Sequence, residues 1–189
     1  NLEGIFGRAE EVSVKVSGIP EIAPDLDKVR KSRKDQSDRF FGPNVIELCR
    51  MADVVFMALH GENGENGKVQ AAFDLFGIRY TGSDYLGSAI AMNKGLSREF
   101  FASAGVPVAK GCHIKKGEAA EQTGIPLPCV VKPCCGGSSV GISIARTKEE
   151  YEQALQEAFR YEDELVIEEY IEGREFSIGV VDGVAYPVI

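Results

Sequence analysis

The sequence has no tryptophan, only two histidines and no apolar run long enough to cross a bilayer. Its five cysteines are odd in number and include no Cys-x-x-Cys spacing, so neither a disulfide framework nor a zinc site is indicated. The formal net charge is −8, which argues against nucleic acid or an anionic membrane as the main partner. A small anionic ligand stays compatible with this charge, because the local field at a site matters more than the net charge.

The composition is that of a soluble globular protein. With 189 residues, 44% of them hydrophobic, the chain can bury a core as one large domain or two small ones. The first residues lack the basic and apolar regions of a secretory signal, so we expect a cytoplasmic protein. Because the sequence has no initiator methionine and its apolar last residues end without a turn or cap, we expect a fragment of a longer protein.

The first half of the chain predicts an open α/β layer. An alternating run at residues 12–16 indicates a strand, which a long loop follows. Pro43 then stands at the first position of a predicted helix, and the apolar residues 53–59 predict a strand buried on both faces, as in a parallel sheet. A second helix, Lys68–Phe76, precedes a short strand at residues 78–80.

The second half predicts strands joined by glycine-containing loops, for which antiparallel pairing is favoured. Asn93 is a good cap for one helix, and Thr147 opens another whose apolar stripe belongs to the core. Asp182 and Gly183 are typical of a two-residue hairpin turn. The predicted strands are residues 111–114, 129–132, 141–145 and 165–167, and the hairpin pairs residues 176–181 with residues 184–188.

The loop from Lys132 to Gly141 is the most informative stretch of the sequence. Its glycines let backbone N–H groups turn towards an anion, its serines add donors, and Lys132 supplies a mobile charge. The same small residues also suit a tight hairpin turn, and the loop alone does not decide between these interpretations. The adjacent Cys134 and Cys135 are compatible with a redox-sensitive site or with two small reduced residues, and the second is favoured in a cytosolic protein.

Three further segments accompany this loop: a His-Gly-x-x-Gly-Glu-x-Gly motif within residues 60–70, a stretch at residues 80–94, and the acidic residues 168–175. In this order and at these separations, from about residue 43 to the end, the chain resembles the D-alanine–D-alanine ligases, a family of the ATP-grasp superfamily. The resemblance implies an α/β fold with a Rossmann-like amino-terminal substrate domain followed by a partial ATP-grasp domain of the α+β type. The implied domains are residues 1–90 for the first, 91–171 for the ATP-grasp small lobe and 172–189 for the start of its large lobe.

The resemblance also implies where ATP binds. A cation at a helix N-terminus opposes the helix dipole, so Lys94 does not stabilise its helix, and a bound anion accounts better for a lysine at this position. Taken by itself, Lys94 would be interpreted as a solvated lysine. Lysines at the positions of Lys94 and Lys132 hold ATP phosphates in the family, and the loop folds over the triphosphate. Charged residues mostly lie at the surface, so the glutamates of residues 168–175 would by themselves be assigned to a solvated strand face. The implied ATP-binding residues are Lys94, Lys132, Gly137, Ser139, Glu168, Glu169, Ile171 and Glu175, of which the last four meet the adenosine part.

The amino-acid substrates are implied to bind at His60 and Ser138. His60 follows a predicted strand at its carboxyl end, where ligands bind in open α/β sheets, although a lone histidine is usually structural. Ser138 matches a family serine near the second amino acid and is the implied catalytic residue. Two positions depart from the family, which often has aspartate where this sequence has Asn66 and Asn93. At position 93 an asparagine caps a helix as an aspartate would. At position 66, asparagine in place of aspartate removes a negative charge near the substrate segment, as Asn66 does here.

The implied activity is phosphoryl transfer from ATP to the carboxylate of one D-alanine, followed by attack of a second D-alanine, in peptidoglycan precursor synthesis. Magnesium would bridge the phosphates, but its ligands and the catalytic arginine are expected beyond Ile189, so we expect no metal ligand in this chain and no turnover by it alone. The implied partners are ATP and D-alanine, with a homodimer for the full-length protein. Two alternatives remain: a ligase that takes D-serine or D-lactate second, and a non-catalytic nucleotide-binding module. A nicotinamide dehydrogenase is disfavoured, because no Gly-x-Gly-x-x-Gly follows a first strand.

Overall fold

The computed structural model describes residues 21–118 and 123–189. The chain divides into two compact units, one formed by residues 1–58 with 70–82 and the other by residues 59–69 with 83–189. The strand predicted at residues 12–16 lies outside the described residues. In the described ranges, the search for a helix of sufficient length and apolarity to cross a membrane found none.

The first unit opens with two short helices, α1 (Leu26–Ser32) and α2 (Val45–Met51). The sequence interpretation of a long loop before residue 34 was wrong, because the Asp25 side chain accepts hydrogen bonds from the first backbone N–H groups of α1 and starts a helix there. Helix α1 has only two apolar residues, Leu26 and Val29, which is too few to predict it, whereas α2 has more. Helix α2 is confirmed, but it begins after Asn44 rather than at Pro43.

The segment at residues 53–59 differs from its prediction. It makes one parallel bridge, between Val55 and Tyr80, with hydrogen bonds from the Val55 N–H to the Arg79 carbonyl (2.8 Å) and from the Thr81 N–H to the Val55 carbonyl (3.0 Å). The parallel direction agrees with the sequence, but burial on both faces was wrong, since Phe56 is 79% exposed. Within the described residues this segment has one pairing neighbour, which lies at its edge in the plane of the sheet and so leaves the faces of the segment uncovered.

Helix α3 (Lys68–Phe76) has the bounds that its apolar spacing predicts. In the first unit, its Phe73 is 3% exposed and lies between two aromatic rings, that of Phe41 at 6.0 Å and that of Tyr80 at 5.9 Å between centroids. The helix ends where Gly77 takes a φ of +66°, a conformation that suits glycine at a helix end.

The second unit contains helices α4 (Tyr85–Met92) and α5 (Lys94–Ser103). The Asn93 side chain accepts a hydrogen bond from the Leu96 N–H (3.0 Å), which confirms the predicted cap. Helix α4 was not predicted, because small residues make up half of it and leave no clear apolar period. Asn93 both ends α4 and caps α5, so the two helices meet at one residue.

A four-stranded antiparallel sheet follows, made of β1 (Gly111–Lys115), β2 (Cys129–Pro133), β3 (Ser143–Ala145) and β4 (Glu164–Glu169) in the order β1-β4-β2-β3. The predicted antiparallel pairing is confirmed. Helix α6 (Lys148–Ala158) begins at Thr147, whose hydroxyl accepts from the Glu150 N–H at 3.2 Å. Its apolar stripe packs on one face of the sheet, as the sequence indicated, and the shared core includes Val131, Ala154, Ala158, Leu165 and Ile167.

The carboxyl-terminal residues form a hairpin of β5 (Val180–Val181) and β6 (Val184–Ala185). Asp182 and Gly183 both have positive φ, of +48° and +77°, as the predicted two-residue turn requires. Reciprocal hydrogen bonds between Ser177 and Ile189 continue the pairing beyond the two short strands.

Candidate functional site

The candidate site is centred on the loop after β2, to which the start of α5 brings Lys94. The Lys94 Nζ donates to the Gly136 carbonyl at 2.8 Å and lies 3.5 Å from the Cys134 carbonyl, while its backbone N–H donates to the Cys134 carbonyl at 2.8 Å. Burial lowers the pKa of Lys94, and the charge of Lys132 lowers it further. The structure therefore places two cations that are 38 positions apart in sequence within electrostatic range of each other.

The backbone of this loop is folded unusually. Gly136, Ser138, Ser139 and Gly141 all have positive φ, between +55° and +87°. Positive φ is uncommon for non-glycine residues, and two consecutive serines adopt it here. Backbone N–H groups in such conformations can converge to form an anion-binding concavity. This arrangement favours the anion-binding interpretation over a simple hairpin turn.

Glu168 links the loop lysine to a residue that the sequence analysis missed. Its carboxylate forms an ion pair with Lys132 through one oxygen and lies 3.8 Å from the Arg98 Nε through the other. The three side chains are largely buried, at 16% exposure for Glu168, 21% for Lys132 and 22% for Arg98. Arg98 lies one helical turn after Lys94 on α5, and this spacing is the signal that could have identified it.

The other residues of the acidic segment are arranged differently. The Glu169 carboxylate accepts the Lys110 N–H at 2.8 Å, and the Glu169 N–H donates to the Lys110 carbonyl at 2.7 Å, so this side chain holds the start of β1. Ile171 is 65% exposed, and Glu175 and His60 are also exposed. Among the described residues, no hydrogen bond or ion pair joins these three side chains to the loop.

A cavity of about 610 Å³ lies in the second unit beside the loop. It brings part of the segment that contains the His-Gly-x-x-Gly motif next to the glycines of the loop, although His60 itself does not line it. The Lys68 Nζ and the Glu62 carboxylate form an ion pair of 2.8 Å at this wall, and the Asn66 side chain accepts the Lys68 N–H at 3.2 Å. The lining residues include Glu62, Asn66, Lys68, Leu96, Gly136 and Gly137.

The two loop cysteines are electrostatically disfavoured as thiolates. Burial raises the pKa of Cys134 to about 12 and that of Cys135 to about 11, and nearby glutamates act in the same direction. The Glu162 carboxylate accepts the Cys135 N–H at 2.7 Å and so fixes the loop backbone at its start. Both thiols keep their protons at neutral pH, which supports the interpretation of small reduced residues.

Comparison with known proteins gives a consistent result. The family model described as "D-ala D-ala ligase N-terminus" matches residues 6–83, and that described as "D-ala D-ala ligase C-terminus" matches residues 100–188. A D-alanine–D-alanine ligase of Lacticaseibacillus casei is 48% identical over 163 residues, which are 85% of this chain and 45% of that protein. The chain thus spans about half the length of the curated relatives it matches.

Solved structures agree with the family models. The D-alanine–D-alanine ligase of Bacillus anthracis matches with a TM-score of 0.72 and 36% identity, covering 77% of this chain and 49% of that chain, and its complex with ATP matches with a TM-score of 0.70. The VanG D-Ala:D-Ser ligase of Enterococcus faecalis matches with a TM-score of 0.66 and 35% identity, covering 72% of this chain and 42% of that chain. These likenesses confirm the predicted fold class, a Rossmann-like α/β part followed by a partial ATP-grasp part.

Proposed function

Because the chain belongs to the D-alanine–D-alanine ligase family, we propose that the whole protein uses ATP to join two D-alanines for peptidoglycan precursor synthesis. The ATP γ-phosphoryl group passes to the carboxylate of the first D-alanine and gives an acyl phosphate and ADP. The amine of the second D-alanine attacks the acyl carbon, and inorganic phosphate leaves. Positioning and charge neutralisation supply most of the catalysis in such transfers.

The observation that carries this proposal is the meeting of Lys94, Lys132 and the positive-φ loop in one place. In the proposal the two lysines neutralise the phosphates, while Gly137 and Ser139 offer backbone N–H groups to the phosphate oxygens. Lys94 is already tied to the loop through Gly136, so movement of the loop over a triphosphate would carry a cation with it. A cation held beside the loop suits phosphoryl transfer, because it is already in place to stabilise the charge that develops on the transferred group.

The adenosine part is proposed to bind along the end of β4 and the residues after it. Glu168 and Glu169 would meet the adenine through carboxylate and backbone groups, Ile171 would pack on the base, and Glu175 would accept the ribose hydroxyls. Exposure of Ile171 supports this role, since an apolar side chain at 65% exposure is available to cover a base. The proposed domain limits remain residues 1–90, 91–171 and 172–189.

The amino acids are proposed to bind next to the loop, in contact with His60 and Ser138. The cavity beside Gly136 and Gly137 supports this position, because it is lined by the same segment that contains His60. D-serine as second substrate is the alternative that a specific observation favours, since a D-Ala:D-Ser ligase is 35% identical to this chain. Measuring phosphate release by the longer protein with D-alanine plus D-serine, against D-alanine alone, separates the two.

Further properties belong to the same proposal. Mg²⁺ would bridge the phosphates and neutralise their charge, and its protein ligands would come from residues beyond Ile189. The protein would act in the cytoplasm as a homodimer, without nucleic acid or membrane as a partner. The acidic net charge of −8 supports the last point.

Calorimetric titration of ATP into this chain, with and without Mg²⁺, tests the site. We expect weak binding that Lys132→Ala and Lys94→Ala each reduce at least about tenfold, since each removes a charge-assisted contact. Lys148→Ala, at an exposed position at the start of α6, is the matched control and should bind as the parent does. Equal affinity of the parent and a folded Lys132→Ala variant would contradict the proposed phosphate site.

A further inference from the structure

Three side chains of types that bind metal ions meet on the sheet face opposite the core. None of the three is assigned a role in the ligase reaction. His113 comes from β1, Glu164 begins β4, and Cys134 directly follows β2. One potential ligand atom from each lies within 4.8 Å of the other two, and the His113 Nε2 is already 3.1 Å from a Glu164 carboxylate oxygen. No sequence pattern indicates this cluster, because its members are 21 and 30 positions apart and form no metal-binding spacing.

The sheet register fixes this juxtaposition. Glu164 pairs with Lys115, and His113 lies two residues before Lys115, so His113 and Glu164 point to the same face of the sheet. The Cys134 N–H donates to the Glu164 carbonyl at 3.0 Å, which continues the β2–β4 pairing by one residue and places Cys134 beside Glu164. Backbone pairing therefore positions all three residues, and formation of the cluster does not depend on a mobile loop.

The start of α5 leaves space beside the cluster and supplies one hydrogen-bond donor to it. Cys134 is fully buried, and the Gly95 N–H at the start of α5 donates to its sulfur. A helix N-terminus favours negative charge, but burial and the nearby glutamates outweigh this donor, so the metal itself must displace the thiol proton. Gly95 carries no side chain: a Cβ there would lie 3.6 Å from both the Cys134 Sγ and the His113 Cδ2.

We propose that His113, Cys134 and Glu164 form a binding site for one Zn²⁺ ion or a similar borderline divalent metal, with solvent in the fourth position. Sulfur, imidazole nitrogen and carboxylate oxygen are the three ligand types that Zn²⁺ accepts, at about 2.0–2.3 Å, which puts tetrahedral ligands about 3.5 Å apart. The 4.8 Å spread must therefore close by roughly 1.3 Å, and the partly exposed His113 and Glu164 can make this adjustment by side-chain rotation while the buried Cys134 stays in place.

Two lysines modulate this site. The Lys115 Nζ holds the second Glu164 oxygen at 3.0 Å, which orients the carboxylate but also leaves one oxygen for the metal. Lys94 lies on the side of the cluster next to the loop after β2, and its positive charge repels a metal ion at the cluster. Removal of the Lys115 charge should consequently tighten metal binding.

Cobalt titration of the metal-free chain, followed by optical absorption, tests the proposal without ATP or substrate. We expect a sulfur-to-cobalt charge-transfer band and the intense visible bands of tetrahedral Co²⁺, both reversed by Zn²⁺. Cys134→Ser should abolish the charge-transfer band, and His113→Ala should weaken binding at least about tenfold. The matched controls are Cys135→Ser and His60→Ala, which alter the adjacent cysteine and the second histidine and should leave the spectrum unchanged.

A stability measurement guards against variants that do not fold. Zn²⁺ should raise the melting temperature of the parent and of Cys135→Ser, but not that of a folded Cys134→Ser variant, because a ligand that binds the native state stabilises it. Lys115→Ala, which keeps all three ligands, should bind Co²⁺ more tightly than the parent. A folded parent without a charge-transfer band, or a band that survives Cys134→Ser, would overturn the proposal, and neither result bears on the ligase activity.

Discussion

Replacement of Gly141 by alanine should destabilise the second unit by about 1–4.6 kcal/mol. Gly141 has a φ of +71°, which costs an alanine about 1–2 kcal/mol. An added Cβ would lie 2.8 Å from a Tyr161 ring carbon and 2.9 Å from the Pro133 Cγ. The exposed Tyr161 can move aside, whereas Pro133 is fixed in β2, so an overpacking cost of about 1–3 kcal/mol applies. The smaller entropy of the unfolded alanine chain offsets about 0.4–1 kcal/mol of this sum.

Gly137 in the same loop provides the control. A Cβ at Gly137 would meet nothing within 4 Å, and its φ is outside the positive range, so Gly137→Ala should be neutral or slightly stabilising. Urea unfolding followed by circular dichroism measures both variants. For a slope of about 2 kcal/mol per molar urea, the Gly141→Ala midpoint should fall by about 0.5–2.3 M. Equal midpoints for the two variants would refute the argument from backbone strain and packing.

Two further predictions concern the same unit. Asn93→Ala should lower the free energy of unfolding, measured in urea, by about 1 kcal/mol, because it removes the side-chain acceptor at the start of α5. Asn93→Asp keeps an acceptor and should retain the stability of the parent. A loss of stability in both variants would exclude the capping role. Burial, aided by the charge of Cys112, raises the pKa of Cys129 above its usual 9.0, so above pH 9 the folded chain keeps a proton that the unfolded chain loses. The free energy of unfolding of the parent should therefore fall relative to Cys129→Ala as the pH rises from 9 towards the folded pKa, and parallel pH profiles would contradict the shift.

Features that depend on local sequence were predictable. Helix α3 has its predicted bounds because its apolar spacing and the following Gly77 are local signals. The caps at Asn93 and Thr147 and the hairpin at Asp182 were found for the same reason. Helix α4 and the exposed faces of residues 53–59 were not, since they depend on what packs against them rather than on the residues themselves.

The candidate site shows the same division. Motif order predicted Lys94, Lys132 and the loop, and the structure brings these together. Arg98 was not predicted, because its role comes from an ion pair with Glu168, 70 positions away. The cluster of His113, Cys134 and Glu164 was not predicted either, because it depends on the β1–β4 register. Sequence patterns carry information about neighbours along the chain, whereas these contacts are created only when the sheet forms.

The ion pair between Lys132 and Glu168 has a consequence for how firmly any nucleotide is held. A phosphate that reaches Lys132 must displace a carboxylate that is already there, so binding exchanges one counter-ion for another instead of neutralising a bare charge. When the nucleotide departs, Glu168 returns and leaves no unpaired buried cation behind. Arg98, whose Nε lies 3.8 Å from the other Glu168 oxygen, offers the displaced carboxylate a second cation. At the proposed nucleotide site, this exchange lowers the affinity for the nucleotide and eases its release.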